Sequence, residues 1–227
     1  MKRQTLALCI LVFLSSSLTA CGSAAPAEQA ASTATPEPKT FTSPGDADFP
    51  VPLSFTYGPE WDVQAGTNSI DLIHKGSPPG PESEWWGVTI AAVDGALVHD
   101  PADAALTQPA SADKSKFIAW PKDLFGYFSS IPGVKVDGVP NFLNIGGVSG
   151  TQMIVRTPAM QPIFWLKDDS TWLGGGSTGL DPAYKRQIIL VEVSGKQVML
   201  EFNDSAQKFD EHYPLVRDVY NTLKLGE

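Results

Sequence analysis

Alternating apolar and polar residues predict β-strands over most of the chain after residue 49. Residues 51–57 read VPLSFTY, with apolar side chains at every second position, and 86–93 alternate in the same way. A period of two is typical of a strand with one buried face. Further short strands are predicted at 69–74, 134–136, 142–145, 151–155, 163–166 and 171–173.

Turn residues indicate how these strands are joined. Ser194-Gly195-Lys196 separates the apolar-rich runs 188–193 and 197–202, which predicts a hairpin. Residues 167–170 are predicted to form a hairpin loop between 163–166 and 171–173. Gly146-Gly147 and Ser149-Gly150 are predicted to turn the chain between 142–145 and 151–155. Strands joined by hairpins imply an antiparallel sheet.

Two segments have helical periodicity. The first covers 122–131, with Pro121 in its first turn and an apolar face at Leu124, Phe125, Phe128 and Ile131. The second covers 214–223, with Pro214 in its first turn and an apolar face at Leu215, Val219 and Leu223, beside which lie Val216 and Tyr220. The predicted fold is therefore α+β, a single antiparallel β-sheet flanked by helices.

The N-terminus has the features of an export signal. Lys2 and Arg3 precede an apolar run at 6–14, which is too short to span a bilayer. Residues 18–22 read LTACG and resemble the bacterial lipobox, in which the cysteine receives a diacylglycerol and the peptide is cut just before it. We therefore expect residues 1–20 to be a lipoprotein signal peptide and Cys21 to be lipidated. This anchor places the protein on the cell membrane, facing the extracytoplasmic side.

Composition divides the remaining chain into a linker and a single domain. Residues 21–45 comprise the lipidated cysteine and an Ala, Ser, Thr and Pro-rich segment with almost no large apolar side chain, and we expect this segment to be disordered. Residues 46–227 are long enough for one domain with a sizeable core. Cys9 leaves with the signal peptide and Cys21 is used by the lipid, so the mature protein has no thiol for a disulfide or a metal.

The charge of the chain limits its partners. The formal net charge is −9, and it is −11 without Lys2 and Arg3. An acidic surface argues against nucleic acid and against anionic lipid headgroups as ligands.

Five motifs follow one another along the domain. They are an aromatic corner at 57–63 (YGPEWDV), a strand leading to Asp100-Pro101, a helix end at 131–136 (IPGVKV), a glycine turn at 145–150 (IGGVSG), and a late hairpin with a terminal helix at 190–225. In this order they resemble the PsbP-like superfamily, especially its small LpqN-type bacterial lipoproteins. The resemblance implies an antiparallel sheet flanked by helices and no catalytic residues. Better-known members of the superfamily bind other proteins.

Several short patterns suggest chemistry but lack the context it needs. Residues 174–179 match G-x-G-x-x-G, but Asp181-Pro182 follows where a helix should begin. Ser149 lies in G-V-S-G-T rather than G-x-S-x-G. The histidines His74, His99 and His212 lack metal-binding spacing, although residues 99–103 (HDPAD) could attract a cation in a loop. The carboxylates Glu82, Glu84, Asp168 and Asp169 are weak candidates for a glycosidase pair.

The six tryptophans are the least ordinary feature of the composition. Adjacent Trp85 and Trp86 would point to opposite faces of a strand, so at least one is expected in the core, and the pair is a candidate binding surface. We expect a non-catalytic role in binding a protein or ligand, or in assembly, without a cofactor. The alternatives are a hydrolase of envelope polymers, which needs a pocket of polar groups with shifted pKa, and a small-ligand carrier, which needs an apolar cavity.

Overall fold

The computed structural model describes residues 37–44, 46–76, 86–102, 115, 117–157, 164–165, 172–173 and 184–226. The predicted signal peptide, Cys21 and most of the predicted linker lie outside these residues. In chain order the elements are β1 (Lys39–Ser43), β2 (Leu53–Tyr57), β3 (Trp61–Ala65), β4 (Ser69–His74), β5 (Gly87–Ala92), β6 (Leu97–His99), β7 (Phe117–Ala119), α1 (Leu124–Ser130), β8 (Lys135–Ile145), β9 (Val148–Thr157), β10 (Phe164–Trp165), β11 (Trp172–Leu173), β12 (Tyr184–Val193), β13 (Lys196–Ser205), α2 (Phe209–Thr222) and β14 (Lys224–Leu225).

A seven-stranded antiparallel sheet is the centre of the fold. Its strand order is β3-β4-β5-β13-β12-β9-β8, so β3 and β8 form its two edges. The longest pairing joins β12 to β13 from Tyr184↔Ser205 to Val193↔Lys196. The predicted hairpin is therefore confirmed, and its turn has positive φ at Ser194 and Gly195.

Alternation along these strands produces two cores. On the first face, residues such as Leu72, Ile90 and Leu200 pack with α2 and with strands β1, β2 and β14. On the second face, Ile188 and Met199 pack with α1 and with residues of β6 and β10. Each fully buried large apolar side chain stabilises the fold by about 1.5–3 kcal/mol. Both faces are covered, which explains the high content of branched aliphatic and aromatic residues in the strands.

The prediction of one sheet is wrong, although a mostly β fold with two helices is confirmed. Besides the seven-stranded sheet, the described residues contain a sheet of order β1-β2-β14 and a sheet of order β11-β10-β6-β7. Helices of 7 and 14 residues are too short to cover both faces of seven strands. The two smaller sheets supply the missing cover, since Phe55 of β2 and Phe164 of β10 are buried in the two cores.

The predicted disordered linker over 21–45 is too long. Residues Lys39–Ser43 form β1, which pairs with β2 in antiparallel register. Phe41 is buried and stacks on Phe55 with ring centroids 5.0 Å apart. This one aromatic contact outweighs the polar composition around it, so the folded domain begins before residue 46.

The two helices begin at other residues than predicted. Helix α1 starts at Leu124, because the Asp123 side chain caps it by accepting a hydrogen bond from Gly126 N at 2.9 Å. Pro121 therefore precedes the helix. Helix α2 starts at Phe209, which places Pro214 in its interior. Pro214 leaves the Asp210 carbonyl without its helical donor, and both residues are exposed, so water can replace that donor.

The buried face of α2 differs from the predicted one at Leu215, whereas Val219 and Leu223 are buried as predicted. Phe209, Val216, Val219 and Tyr220 are its buried residues, whereas Leu215 is 37% exposed. Phe209 contacts Phe202 of β13 with ring centroids 4.5 Å apart. The additional N-terminal turn thus fixes the rotation of the helix and turns Leu215 outward.

Strands β8 and β9 form one long hairpin instead of three short strands. Gly146 and Gly147 turn the chain with positive φ, as predicted. The second predicted turn, at Ser149-Gly150, is wrong, because Gly150 pairs with Leu143 on one side and Val191 on the other. A Cβ at residue 150 would lie 2.7 Å from Val191 Cγ1, so glycine serves close packing there.

Candidate functional site

An open groove lies beside the start of α1, on the second face of the seven-stranded sheet. Its volume is about 440 Å³. Its apolar lining comes from α1, β8, β9 and β12, through Leu124, Phe125, Pro140, Phe142, Met153 and Leu190. This size and composition fall within the range of sites that hold a small ligand or a few side chains of a partner.

Phe142 is the most exposed apolar side chain in this groove. It is 88% exposed, and Val139, three residues earlier on β8, is 81% exposed. Exposing a phenylalanine fully gives up about 1.5–3 kcal/mol of burial energy. The isolated chain therefore gains almost no burial energy from either side chain, and Phe142, exposed beside an apolar groove, is a candidate contact residue.

The position of β8 explains why these side chains are exposed. Strand β8 is an edge of the sheet, and among the described strands it pairs with β9 alone. Its pairing is irregular between Asp137 and Asn141, and Gly138 has φ +74 there. A bulge and a proline at 140 protect an edge strand against uncontrolled pairing. From Asn141 to Ile145 the regular pairing resumes, and Phe142 lies in this regular part.

The charged side chains around the groove have different environments. Lys122 and Glu192 are exposed groove residues of opposite charge, and Asp123 adds a second carboxylate. The Asp123 carboxylate is engaged as the N-cap of α1. These residues suit an interface with an apolar centre and a polar rim.

Described groups with a shifted pKa lie outside the groove. Burial raises the pKa of Tyr127, whose hydroxyl donates a hydrogen bond to the His99 carbonyl at 2.9 Å. Burial likewise raises the pKa values of Asp71, Asp204 and Tyr220. Among the described residues, none of these groups lines the groove. An enzyme would need several such groups to converge there.

A stack of three rings joins two histidines that are far apart in sequence. Trp86 lies between His74 and His212, with ring centroids 4.2 and 4.0 Å away and planes inclined by 21° and 13°. Trp61 meets Trp86 edge-on at 5.4 Å. Asp204 orients the His212 ring, because its Oδ2 lies 2.7 Å from His212 Nδ1.

The stack is suited to holding elements together. His74 ends β4, Trp86 precedes β5, and His212 lies in the first turns of α2. Burial lowers the pKa of His74, and the charge of His212 lowers it further. The sequence provided no local signal for this contact, because 74 and 212 are brought together only by the docking of α2.

The structure corrects the predicted tryptophan surface. Trp86 is 6% exposed, and neighbouring rings cover its two faces, so it belongs to the core. Trp85 lies outside the described residues. Trp61 is also buried, and Trp120 is half-buried against Phe164 with ring centroids 5.3 Å apart. The exposed aromatic side chain of the described residues is Phe142, which the sequence pattern assigned to a strand without indicating its exposure.

The other sequence candidates that lie within the described residues do not assemble into a site. Ser149 lies in strand β9, and the described contacts of His74 and His212 involve other residues. His99 is buried, and Asp100 forms a turn by accepting a hydrogen bond from Ala102 N at 2.9 Å. The part of the chain that the structure describes has no group of three side chains able to hold a metal. Glu82, Glu84, Asp168, Asp169 and residues 174–179 lie outside it.

The known proteins found to be similar to this chain are solved structures. No family model matches this chain, and no curated protein does. LpqN of Mycobacterium tuberculosis, described as involved in cell envelope biogenesis, is similar with a TM-score of 0.42 and 12% identity over 84% of this chain and 92% of that chain. Cyanobacterial PsbP (CyanoP) from Synechocystis sp. PCC 6803 has a TM-score of 0.38 and 11% identity over 88% of this chain and 99% of that chain.

A third similar structure comes from Bacteroides thetaiotaomicron, with a TM-score of 0.39 and 13% identity over 83% of this chain and 48% of that chain. LpqN and PsbP belong to the group of proteins that the sequence motifs resemble. At these identities and TM-scores the similarities transfer no function to this chain.

Proposed function

We propose that this protein is a lipid-anchored, extracytoplasmic binding module whose groove beside α1 holds an apolar segment of a partner protein. The observation that carries the proposal is the exposure of Phe142 on a regular part of an edge strand. Its aromatic ring and the side chain of Phe125 offer two anchors for an apolar partner side chain. A non-catalytic role agrees with the positions of the described groups of shifted pKa, all outside the groove lining.

The contact that Phe142 makes is expected to dominate the affinity. Covering its ring would recover about 1.5–3 kcal/mol. Since 1.4 kcal/mol changes an equilibrium constant tenfold, truncation to alanine should weaken binding about 10- to 150-fold. Energy concentrated in one aromatic anchor within a polar rim is usual for protein interfaces.

The partner can be tested for by site-specific crosslinking in the host cell. A photoreactive phenylalanine analogue would replace Phe142 in one variant, Val139 in a second, and Leu215 in a control. Leu215 is an exposed apolar residue of α2, on the other face of the sheet. We expect adducts of one common mass from 142 and 139, none from 215, and their loss when Phe125→Asp is added. Equal adducts from all three positions would contradict the proposal.

The lipid anchor needs a separate test. Residues Leu18–Gly22 and the preceding apolar run support lipidation of Cys21, and among the described residues no helix is long and apolar enough to cross a bilayer. Cells fed a labelled fatty acid should label the wild type and Cys9→Ser, but not Cys21→Ser. Labelling of Cys21→Ser, or its retention with the membrane fraction, would show that another feature holds the protein there.

A further inference from the structure

Polar side chains form a row across the second face of the seven-stranded sheet. Asp71 of β4 lies opposite Thr89 of β5, and Thr89 lies opposite Glu201 of β13. Thr89 donates a hydrogen bond to Asp71 at 2.6 Å. Glu201 faces Ile188 of β12, and Arg186 lies two residues before Ile188, diagonally to Glu201. Arg186 and Glu201 are buried members of this row, so their polar groups require internal partners.

Arg186 lacks part of the partners that a buried guanidinium needs. Its side chain is 0% exposed, and its Nη1 donates to Glu201 Oε1 at 2.7 Å. Its Nε and Nη2 are buried and have no hydrogen-bond partner. Leaving buried donors unpaired is unfavourable, and an arginine with only one of its donor nitrogens paired in a core is uncommon.

The two unpaired nitrogens lie along one edge of the planar guanidinium group. Nε–H and Nη2–H point in the same direction and form a planar fork. A fork of this kind fits the two oxygens of one carboxylate or two oxygens of a phosphate. Nη1, on the other side, is already used by Glu201, so neither donor of the fork has a protein partner.

We propose that the Nε/Nη2 fork of Arg186 is a binding site for the carboxylate of a small organic acid. The ion pair of Arg186 with Glu201 is neutral as a unit, so a ligand adds its full charge to the core. Because the desolvation penalty rises steeply with charge, a monoanionic carboxylate is favoured over a dianionic phosphate.

Two further observations support the assignment. Burial, and secondly the charge of Glu201, raise the pKa of Asp71. A more readily protonated Asp71 reduces the negative charge of the row that contains Glu201. The site is also separate from the groove at Phe142, since Arg186 lies four residues along β12 from the groove residue Leu190, or about 13 Å along an extended strand.

The test uses the full chain with its anchor in detergent and acetate as the probe. Arg186→Lys keeps a cation opposite Glu201 but lacks the fork, and Arg156→Lys is the control, because Arg156 is an exposed arginine paired with Asp137 at 2.6 Å. We expect acetate to raise the melting temperature of the wild type and of Arg156→Lys saturably. For Arg186→Lys the apparent affinity for acetate should be about tenfold weaker or lost.

A second measurement does not depend on the variants folding. The Nε–H resonance of Arg186 in the ¹⁵N-labelled wild type should shift with acetate and should not shift with chloride at equal ionic strength. An unchanged resonance would overturn the proposal and assign the fork to buried water. Inorganic phosphate binding as tightly as acetate would overturn the choice of a carboxylate. An equal response of wild type and Arg186→Lys in the melting assay would likewise overturn the site.

Discussion

Replacing Trp86 by alanine tests how much of the fold depends on the histidine stack. The side chain is buried, contacts His74 and His212 on its two faces, and meets Trp61 and Phe202 edge-on at 5.4 and 6.4 Å. Truncation of a buried tryptophan costs about 3–5 kcal/mol, and aromatic pairs add about 0.5–1.5 kcal/mol each beyond area burial. Trp86→Ala should therefore lower the free energy of unfolding by at least about 3 kcal/mol.

Urea unfolding followed by circular dichroism measures this difference. A domain of this size has a total stability of about 5–15 kcal/mol, so the loss should be a large and easily resolved fraction. Trp86→Phe is the matched variant, because it keeps an aromatic ring between the imidazoles and should lose less than half as much. A loss below about 1 kcal/mol for Trp86→Ala would refute the reasoning, because surface substitutions are usually within about 0.5 kcal/mol.

Three smaller perturbations test the local geometry. Because the pKa of His74 is lowered in the folded protein, the unfolded chain binds more protons once the pH falls through the ordinary value of 6.5. The free energy of unfolding should therefore decrease as the pH falls below that value. Urea titrations at several pH values should show a smaller pH dependence for His74→Gln. Gly150→Ala should lower the free energy of unfolding by about 1–3 kcal/mol, because the new Cβ would lie 2.9 Å from the Leu190 carbonyl oxygen. Gly66→Ala is the control and should change the melting temperature little, because its Cβ would have no contact below 3.7 Å. Asp123→Ala should cost about 1 kcal/mol by removing the cap of α1, and Asp123→Asn should restore most of it; equal losses would exclude capping.

Local sequence predicted the elements whose pattern is set by their own neighbours. Alternation located β2, β4 and β5, and the Ser194-Gly195 turn located the β12–β13 hairpin. Strand β1 has no such local pattern. One aromatic residue, Phe41, anchors it, and Phe41 becomes buried only when Phe55 of β2 is in place. The division into three sheets depends on pairings such as Leu53 with Leu225, which no local pattern encodes.

The candidate site was less predictable than the fold. A strand was expected at 142–145, but whether it would be central or an edge depends on the order of strands, and that order determines the exposure of Phe142. Trp86 is the opposite case, since α2 and β4 cover a side chain that composition alone marks as a possible surface residue. The register of β12 against β13 brings Arg186 to Glu201, and the lack of partners for its Nε and Nη2 depends on the packing of the whole core.

The central claim is that the groove at Phe142 binds a partner protein. The most direct measurement is the affinity of the partner identified by crosslinking for the wild type, Phe142→Ala and Leu215→Ala, with circular dichroism confirming that all three are folded. The account predicts that Phe142→Ala binds about 10- to 150-fold more weakly and that Leu215→Ala binds within about threefold of the wild type. Equal affinities for the wild type and Phe142→Ala would contradict it.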